Sequence, residues 1–204
     1  MNTNFELLFP TPVMFGEMDR KFTKEELDFV DKWSKDTYQN MGNTTSNNNY
    51  ILEEPEFADL KAIVLGYVNE YLKKVYKPKY QVESYITQSW LNYTKPGEYH
   101  HTHEHPNSFI SGVLYIHADP KEDKIKFHKS GYQQISLEPE SYDVFNSKSW
   151  WFNVETGKIV LFPSSLTHNV EQVTAGTTRI SLAFNTFLKG TLGDNKFLTE
   201  LLNA

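Results

Sequence analysis

Arg179-Ile-Ser-Leu-Ala-Phe-Asn185 alternates without a break, putting Arg179, Ser181, Ala183 and Asn185 on one face and Ile180, Leu182 and Phe184 on the other. A period of two is that of a strand with distinct faces, and here the face opposite the apolar one carries a charge, a hydroxyl and an amide. Working outward, similar segments rich in β-branched and aromatic residues recur from about Gln81. They are Val82–Thr94, Phe109–His117, Lys124–His128, Gln133–Leu137, Lys158–Phe162 and Arg179–Leu188, with Pro96-Gly97, Asp119-Pro120, Thr156-Gly157 and Ala175-Gly176 among the breaks. Six or more antiparallel strands predict a closed sandwich of jelly-roll type.

Upstream the pattern is helical. Thr23 and Glu26 have capping-box spacing, followed by Leu27, Val30 and Trp33 on one face, which predicts a helix to about Tyr38. Pro55 suits the first turn of a second helix whose stripe is Phe57, Leu60, Val64, Tyr67, Val68, Tyr71, Leu72 and Val75, ending before Pro78. Between them, Gln39–Tyr50 is rich in Asn, Ser, Thr and Gly and reads as an exposed loop. Phe5–Phe15, with two prolines, reads as an extended segment lying against a core. The expected fold class is α+β, mainly β: a double-stranded β-helix (jelly roll, cupin-like) with two N-terminal helices packed on one sheet. One domain is expected over residues 1–204, with helical support at 1–78, a jelly-roll core at 79–190 and a C-terminal segment at 191–204.

Composition limits the chemistry. The 204 residues include 14 Phe, 12 Tyr and 4 Trp, so large rings supply much of the core and wholesale disorder is excluded. With no cysteine there is no disulfide scaffold, thiolate-bound zinc, iron–sulfur cluster or thiol nucleophile, and a metal would need His, Asp or Glu. A net charge of −6 argues against general nucleic-acid binding, leaving room only for a local basic patch such as Lys73–Lys79. No apolar run approaches the roughly 20 residues of a membrane span, so no membrane partner is expected. The start has no cationic segment followed by an apolar one, and a cytoplasmic location is expected. Phe197, Leu198, Leu201 and Leu202 could pack on their own chain or on a second copy, leaving monomer and homodimer both open.

All seven histidines lie between positions 100 and 168, four of them in Tyr99-His-His-Thr-His-Glu-His-Pro106. In an extended chain His101 and His103, or His103 and His105, converge as a two-imidazole clamp. His168 follows the strand and bend Lys158–Thr167 and offers a third nitrogen. Arg179, at the inward start of its strand, wants an anion, and a protein carboxylate would satisfy it as well as a ligand would. Trp150-Trp-Phe152 reads as core, and His117 and His128 as ordinary strand-end residues.

The order of these motifs resembles the Fe(II)- and 2-oxoglutarate-dependent oxygenases, specifically their phage and bacterial branch. The resemblance runs through Leu8-Phe-Pro-Thr-Pro-Val13, Trp90-Leu-Asn-Tyr93, His103-Glu-His-Pro-Asn-Ser108, Ser111-Gly-Val-Leu-Tyr115, Leu161-Phe-Pro-Ser-Ser165, His168-Asn-Val170 and Arg179–Asn185. It implies a hydroxylase that uses Fe(II), 2-oxoglutarate and O2 and releases succinate and CO2. For a phage-encoded chain the location would be the host cytoplasm. It further implies that His103, His105 and His168 hold the metal, that Arg179 clamps the distal carboxylate of 2-oxoglutarate, and that Ser181, Tyr115 and Asn92 add contacts. The tract after His105 leads into the Phe109 strand as in relatives, favouring His103 with His105 over His101 with His103. His105 stands where the wider superfamily has a carboxylate, which leaves one more positive charge at the metal. The substrate, a small molecule or a protein side chain, is not specified. Two other readings are a cupin-like three-histidine metalloenzyme without 2-oxoglutarate and a jelly-roll binding module without turnover.

Overall fold

The computed structural model describes residues 2–131, 135 and 137–203. In chain order the elements are β1 (Met14–Glu17), α1 (Lys24–Trp33), β2 (Thr37–Gln39), β3 (Thr44–Ser46), α2 (Ala58–Tyr71), β4 (Val82–Thr94), β5 (His100–His103), β6 (Ile110–His117), β7 (Lys124–His128), β8 (Ser149–Asn153), β9 (Lys158–Pro163), β10 (His168–Val170), β11 (Arg179–Leu192) and β12 (Leu201–Asn203). A single π-helical turn, Leu72–Tyr76, extends α2. The expected strand Gln133–Leu137 falls largely outside the described residues.

These strands form two sheets. The larger has the order β1-β9-β6-β11-β4-β3-β2, with β12 also on β11, and the smaller has the order β5-β10-β7-β8. Every ladder between these strands is antiparallel. One face of the large sheet meets the helices: Leu60, Val64, Val68 and Tyr71 of α2 share a buried cluster with Leu91, Leu114, Leu182 and Phe184. The other face meets the small sheet through Tyr115, Val160 and Phe162 against Ile125 and Phe127, with the Phe127 and Phe162 rings 5.2 Å apart. The alternation of β11 thus assigns Ile180, Leu182 and Phe184 to the helix side and leaves Arg179 and Ser181 to the space between the sheets. Among the described residues no helix is long and apolar enough to cross a membrane.

Four local expectations are corrected. First, Gln39–Tyr50 is no exposed loop: β2 and β3 form a hairpin that pairs with β4, and Asn43, Thr45 and Ser46 are buried. Thr45 Oγ1 donates to Asn92 Oδ1 at 3.1 Å and Ser46 Oγ accepts from the Leu91 N–H at 3.0 Å, so most of this polar sequence is buried with its hydrogen bonds made, although Asn43 Oδ1 has no partner among the described residues. Second, α1 stops at Trp33 because Thr37–Gln39 is taken up by that hairpin. Third, only the end of the N-terminal segment meets the core. Met14–Glu17 pairs with β9, whereas Phe5, Leu7, Leu8 and Phe9 are exposed. Fourth, Trp150, Trp151 and Phe152 lie on β8, an edge strand of the small sheet, and all three are exposed, Trp151 by 48%.

The capping box of α1 also carries an ion pair. Thr23 Oγ1 accepts from the Glu26 N–H at 3.2 Å, and the Thr23 N–H donates to Glu26 Oε2 at 2.7 Å. Arg20 grips both oxygens of the same carboxylate at 2.9 and 2.6 Å. Burial alone would raise the Glu26 pKa, but the Arg20 fork and the Thr23 N–H outweigh it and hold it below the ordinary value. A carboxylate depressed in the fold stabilises fully above its unfolded pKa of about 4.3 and loses that share as pH falls through the folded value. Glu26→Gln is therefore expected to cost about 1–2 kcal/mol at pH 7 and much less at pH 3. Urea melts at the two pH values check this; an equal loss at both would contradict it.

Candidate metal centre

His103 ends β5 and His168 begins β10, and the two are paired directly across the ladder. Cross-strand partners project from the same face, and their ring centroids are 4.4 Å apart. His105 lies two residues beyond His103, fixed by its N–H donating to the Ser164 carbonyl at 2.9 Å. Its ring is 4.9 Å from that of His103 and 5.2 Å from that of His168. One nitrogen from each of the three lies within 4.8 Å of the others. A second triplet, His100, His101 and His103, meets the same criterion, whereas among the described residues His101 and His103 do not form such a group with His168. The relative ring orientations differ: His100 stacks on His103 at an interplanar angle of 17°, whereas His105 and His168 are inclined to His103 by 89° and 52°.

Hydrogen bonds orient the rings. His103 Nδ1 lies 2.8 Å from the His101 carbonyl and His168 Nδ1 lies 2.9 Å from the Leu166 carbonyl. A carbonyl only accepts, so both Nδ1 atoms carry the proton and both Nε2 lone pairs are free. Burial, reinforced by the neighbouring imidazoles, pushes the pKa of His105 down to about 4 and that of His168 to about 3, and lowers that of His103. Neutral imidazole is the form that ligates a metal. His168 rests on Phe162, ring centroids 4.6 Å apart, which puts the cluster at the edge of the apolar layer between the sheets.

A polar row lies across the large sheet on that inner side. Ser181 of β11 pairs with Asn92 of β4 on one side and with Tyr115 of β6 on the other, and Arg179 is two positions away on the same face. Arg179 is 3% exposed and Tyr115 1%. Asn92 Oδ1 accepts from Thr45 Oγ1 at 3.1 Å. Among the described residues neither Arg179, Ser181 nor Tyr115 makes a side-chain hydrogen bond. Arg179 does have a charged neighbour: Asp123, itself 3% exposed, is 3.6 Å from Nη1, too long for a hydrogen bond. Burial lowers the Arg179 pKa, opposed by Tyr115 and Asp123, and burial raises that of Tyr115. Asp123 is anchored by its Oδ2 accepting from the Asp119 N–H at 2.8 Å.

Sequence reasoning missed Asp123, because nothing near Asp119-Pro-Lys-Glu-Asp123 marks one acid of the three as buried. It also missed a serine network in which Ser164 donates to Ser108 at 2.7 Å, meets Ser111 at 2.8 Å, and Ser111 donates to Asn185 at 2.7 Å. The recurrence of Ser after His105, in β6 and after β9 was its only signal.

Residues 88–185 match the profile of a family described as "Putative 2OG-Fe(II) oxygenase". Among curated proteins none matches the sequence. Among solved structures, HygX of Streptomyces hygroscopicus with nickel and 2-oxoglutarate bound superposes with a TM-score of 0.59 at 12% identity, over 86% of this chain and 82% of that one. The same protein with hygromycin B also bound gives 0.58 over the same shares at 12% identity. A 2OG-Fe(II) oxygenase family oxidoreductase of Burkholderia pseudomallei gives 0.57 at 12% identity, over 85% and 83%. At such identities these similarities speak for the fold.

Proposed function

We propose, from the match of residues 88–185 to the profile of the 2OG-Fe(II) oxygenase family, that the protein is an Fe(II)- and 2-oxoglutarate-dependent dioxygenase. It hydroxylates a substrate and releases succinate and CO2. The observation that carries the reading is the convergence of His103, His105 and His168 within 4.8 Å on the same inner layer as a buried arginine.

The donor set suits the metal. Three neutral nitrogens fit a borderline ion such as Fe(II) and leave about three positions of an octahedron for other ligands. His103, His105 and His168 form this set better than His100, His101 and His103. An imidazole lone pair lies in its ring plane, so the stacked His100 and His103 aim side by side, while the inclined rings of His105 and His168 can aim at one point. With Fe(II) and O2 present, oxidative decarboxylation of the keto acid would supply the oxidising power for C–H hydroxylation. The chain's own residues do the rest. The Leu166 and His101 carbonyls hold His168 and His103 in the ligating tautomer. Arg179 presents a planar fork to the distal carboxylate of 2-oxoglutarate. Ser181 and Tyr115, without internal partners, donate hydroxyls to it, and Asn92 borders the row. Phe162 and Phe127 keep water from the inner side of the centre. A ligand set without carboxylate leaves the metal more positive and strengthens its hold on an anionic keto acid.

One observation favours a second reading. Asp123 gives Arg179 a carboxylate of its own, as expected of a three-histidine metalloenzyme that does not use 2-oxoglutarate. Anaerobic titration with Fe(II) and then 2-oxoglutarate separates the two. A weak visible charge-transfer band on addition of the keto acid is expected for the dioxygenase. Bound iron with no band establishes the second reading.

A further inference from the structure

Above the histidine cluster the two sheets part around a cavity of about 230 Å3, lined by Tyr38, Asn40, Asn49, Gln88 and Trp90 together with the histidines. The β2–β3 hairpin and the turn that follows it bring Tyr38, Asn40 and Asn49 there; strand β4 brings Gln88 and Trp90. On β4 the side chains of Gln88, Trp90 and Asn92 alternate onto one face, passing from exposed through half-buried to buried. This face leads from solvent to the Ser181 row. The Trp90 ring lies 5.9 Å from that of His105, so whatever rests on the indole is beside the candidate metal ligands.

Two properties of this mouth restrict what it can hold. No Lys, Arg, Asp or Glu lines it among the described residues. Away from the metal that the histidines would hold, an ion resting on this wall would lose water without gaining a counter-charge, and the phosphates of a nucleic acid would find no cationic side chain. The second property is spare hydrogen-bonding capacity. Among the described residues the Tyr38 hydroxyl, the Asn49 and Gln88 carboxamides and the Trp90 indole N–H make no side-chain hydrogen bond within the chain, and Asn40 uses only its oxygen, accepting from the Met41 N–H. An apolar guest would strand these groups. The volume lies below the roughly 300–1,000 Å3 of sites for drug-sized ligands, room for one six-membered ring with its substituents.

We infer that the mouth binds an uncharged, polyhydroxylated ring of the saccharide kind, laid against Trp90 and hydrogen-bonded by Gln88, Asn49 and Tyr38. As the substrate of the hydroxylation proposed above it rests on that reading, but binding itself needs neither metal nor 2-oxoglutarate. Indole offers its face to the C–H edge of such a ring, and carboxamides, each both donor and acceptor, suit hydroxyls, which are the same.

The test is ligand-observed saturation-transfer NMR on the full chain in EDTA, without 2-oxoglutarate. The probes are methyl glucoside, glucuronate, glucosamine and adenosine, with tryptophan fluorescence as a second readout. Methyl glucoside is expected to receive saturation on its ring protons and to perturb the fluorescence, with both ionic sugars and the nucleoside binding more weakly. Gln88→Ala and Asn49→Ala are each expected to weaken binding about fivefold, the equivalent of one hydrogen bond of about 1 kcal/mol. Trp90→Ala abolishes it, and Trp90→Phe, which keeps an aromatic face, retains part. No binding of the neutral glycoside, tighter binding of glucuronate or glucosamine, a preference for adenosine, or undiminished binding to a folded Trp90→Ala protein overturns the proposal. Glycoside binding without a charge-transfer band in the iron titration would fault the dioxygenase reading and leave the saccharide site standing.

Discussion

A His168→Ala protein is expected to bind Fe(II) at least about 100-fold more weakly than the parent, and to lose 2-oxoglutarate consumption with it. The estimate is a lower bound, since loss of groups that merely orient a ligand already costs about 10–100-fold and His168 is read as a ligand itself. The loss has a local cause: His168 faces His103 across the β5–β10 ladder, and without it two imidazoles on one chain segment remain. Added imidazole, small enough to enter the space left by the side chain, is expected to restore part of the iron binding, which a misfolded protein would not allow. The same titration assigns the register of the cluster. His105→Ala should match His168→Ala, while His100→Ala and His101→Ala should stay within a few-fold of the parent. Reversal of that order, with His101 essential and His105 dispensable, would move the centre to His100, His101 and His103.

Arg179→Met is expected to produce two effects that a second substitution separates. The first is on 2-oxoglutarate, whose affinity should fall at least about 100-fold, as for loss of a buried charge-paired contact costing about 3 kcal/mol or more. The second is on stability. Arg179 and Asp123 are each 3% exposed, and removing one member of a buried pair leaves the other uncompensated, at a typical cost of about 3–5 kcal/mol. Arg179→Met combined with Asp123→Asn should recover much of the stability and none of the keto-acid binding. Chemical denaturation and direct 2-oxoglutarate titration read the two effects independently. Unchanged 2-oxoglutarate binding in Arg179→Met would reduce the arginine to a partner of Asp123 and favour the three-histidine enzyme without keto acid.

The long strands were legible because their signal is local. Alternation in Arg179–Asn185 sorts each side chain by its two neighbours, and β11 keeps that sorting when it pairs with β4 and β6. Thr23 and Glu26 formed their capping box for the same reason, since all the partners lie within one helical turn. The hairpin β2–β3 was illegible because its composition is that of a loop, and its burial depends on the Asn92 carboxamide and the backbone of β4 more than 40 residues away. Trp150–Phe152 misled in the opposite sense: three large rings suggest a core, but an edge strand leaves them half in water.

The candidate site divides along the same line. Composition and spacing set the chemistry available: imidazole as the nitrogen donor for a borderline metal in a chain without cysteine, a strand-borne arginine, and a serine two residues further on its inward face. The tertiary structure alone decided the geometry. It placed His168 opposite His103, inclined His105 toward both while stacking His100 flat, seated Asp123 beside Arg179, and folded an asparagine-rich hairpin over Trp90. The physical reason is range. Side-chain type and facing are set by residues within a few positions, whereas ring inclination, ion pairing and the walls of a cavity are set across ladders and between sheets, by segments whose separation along the chain carries no trace of their contact.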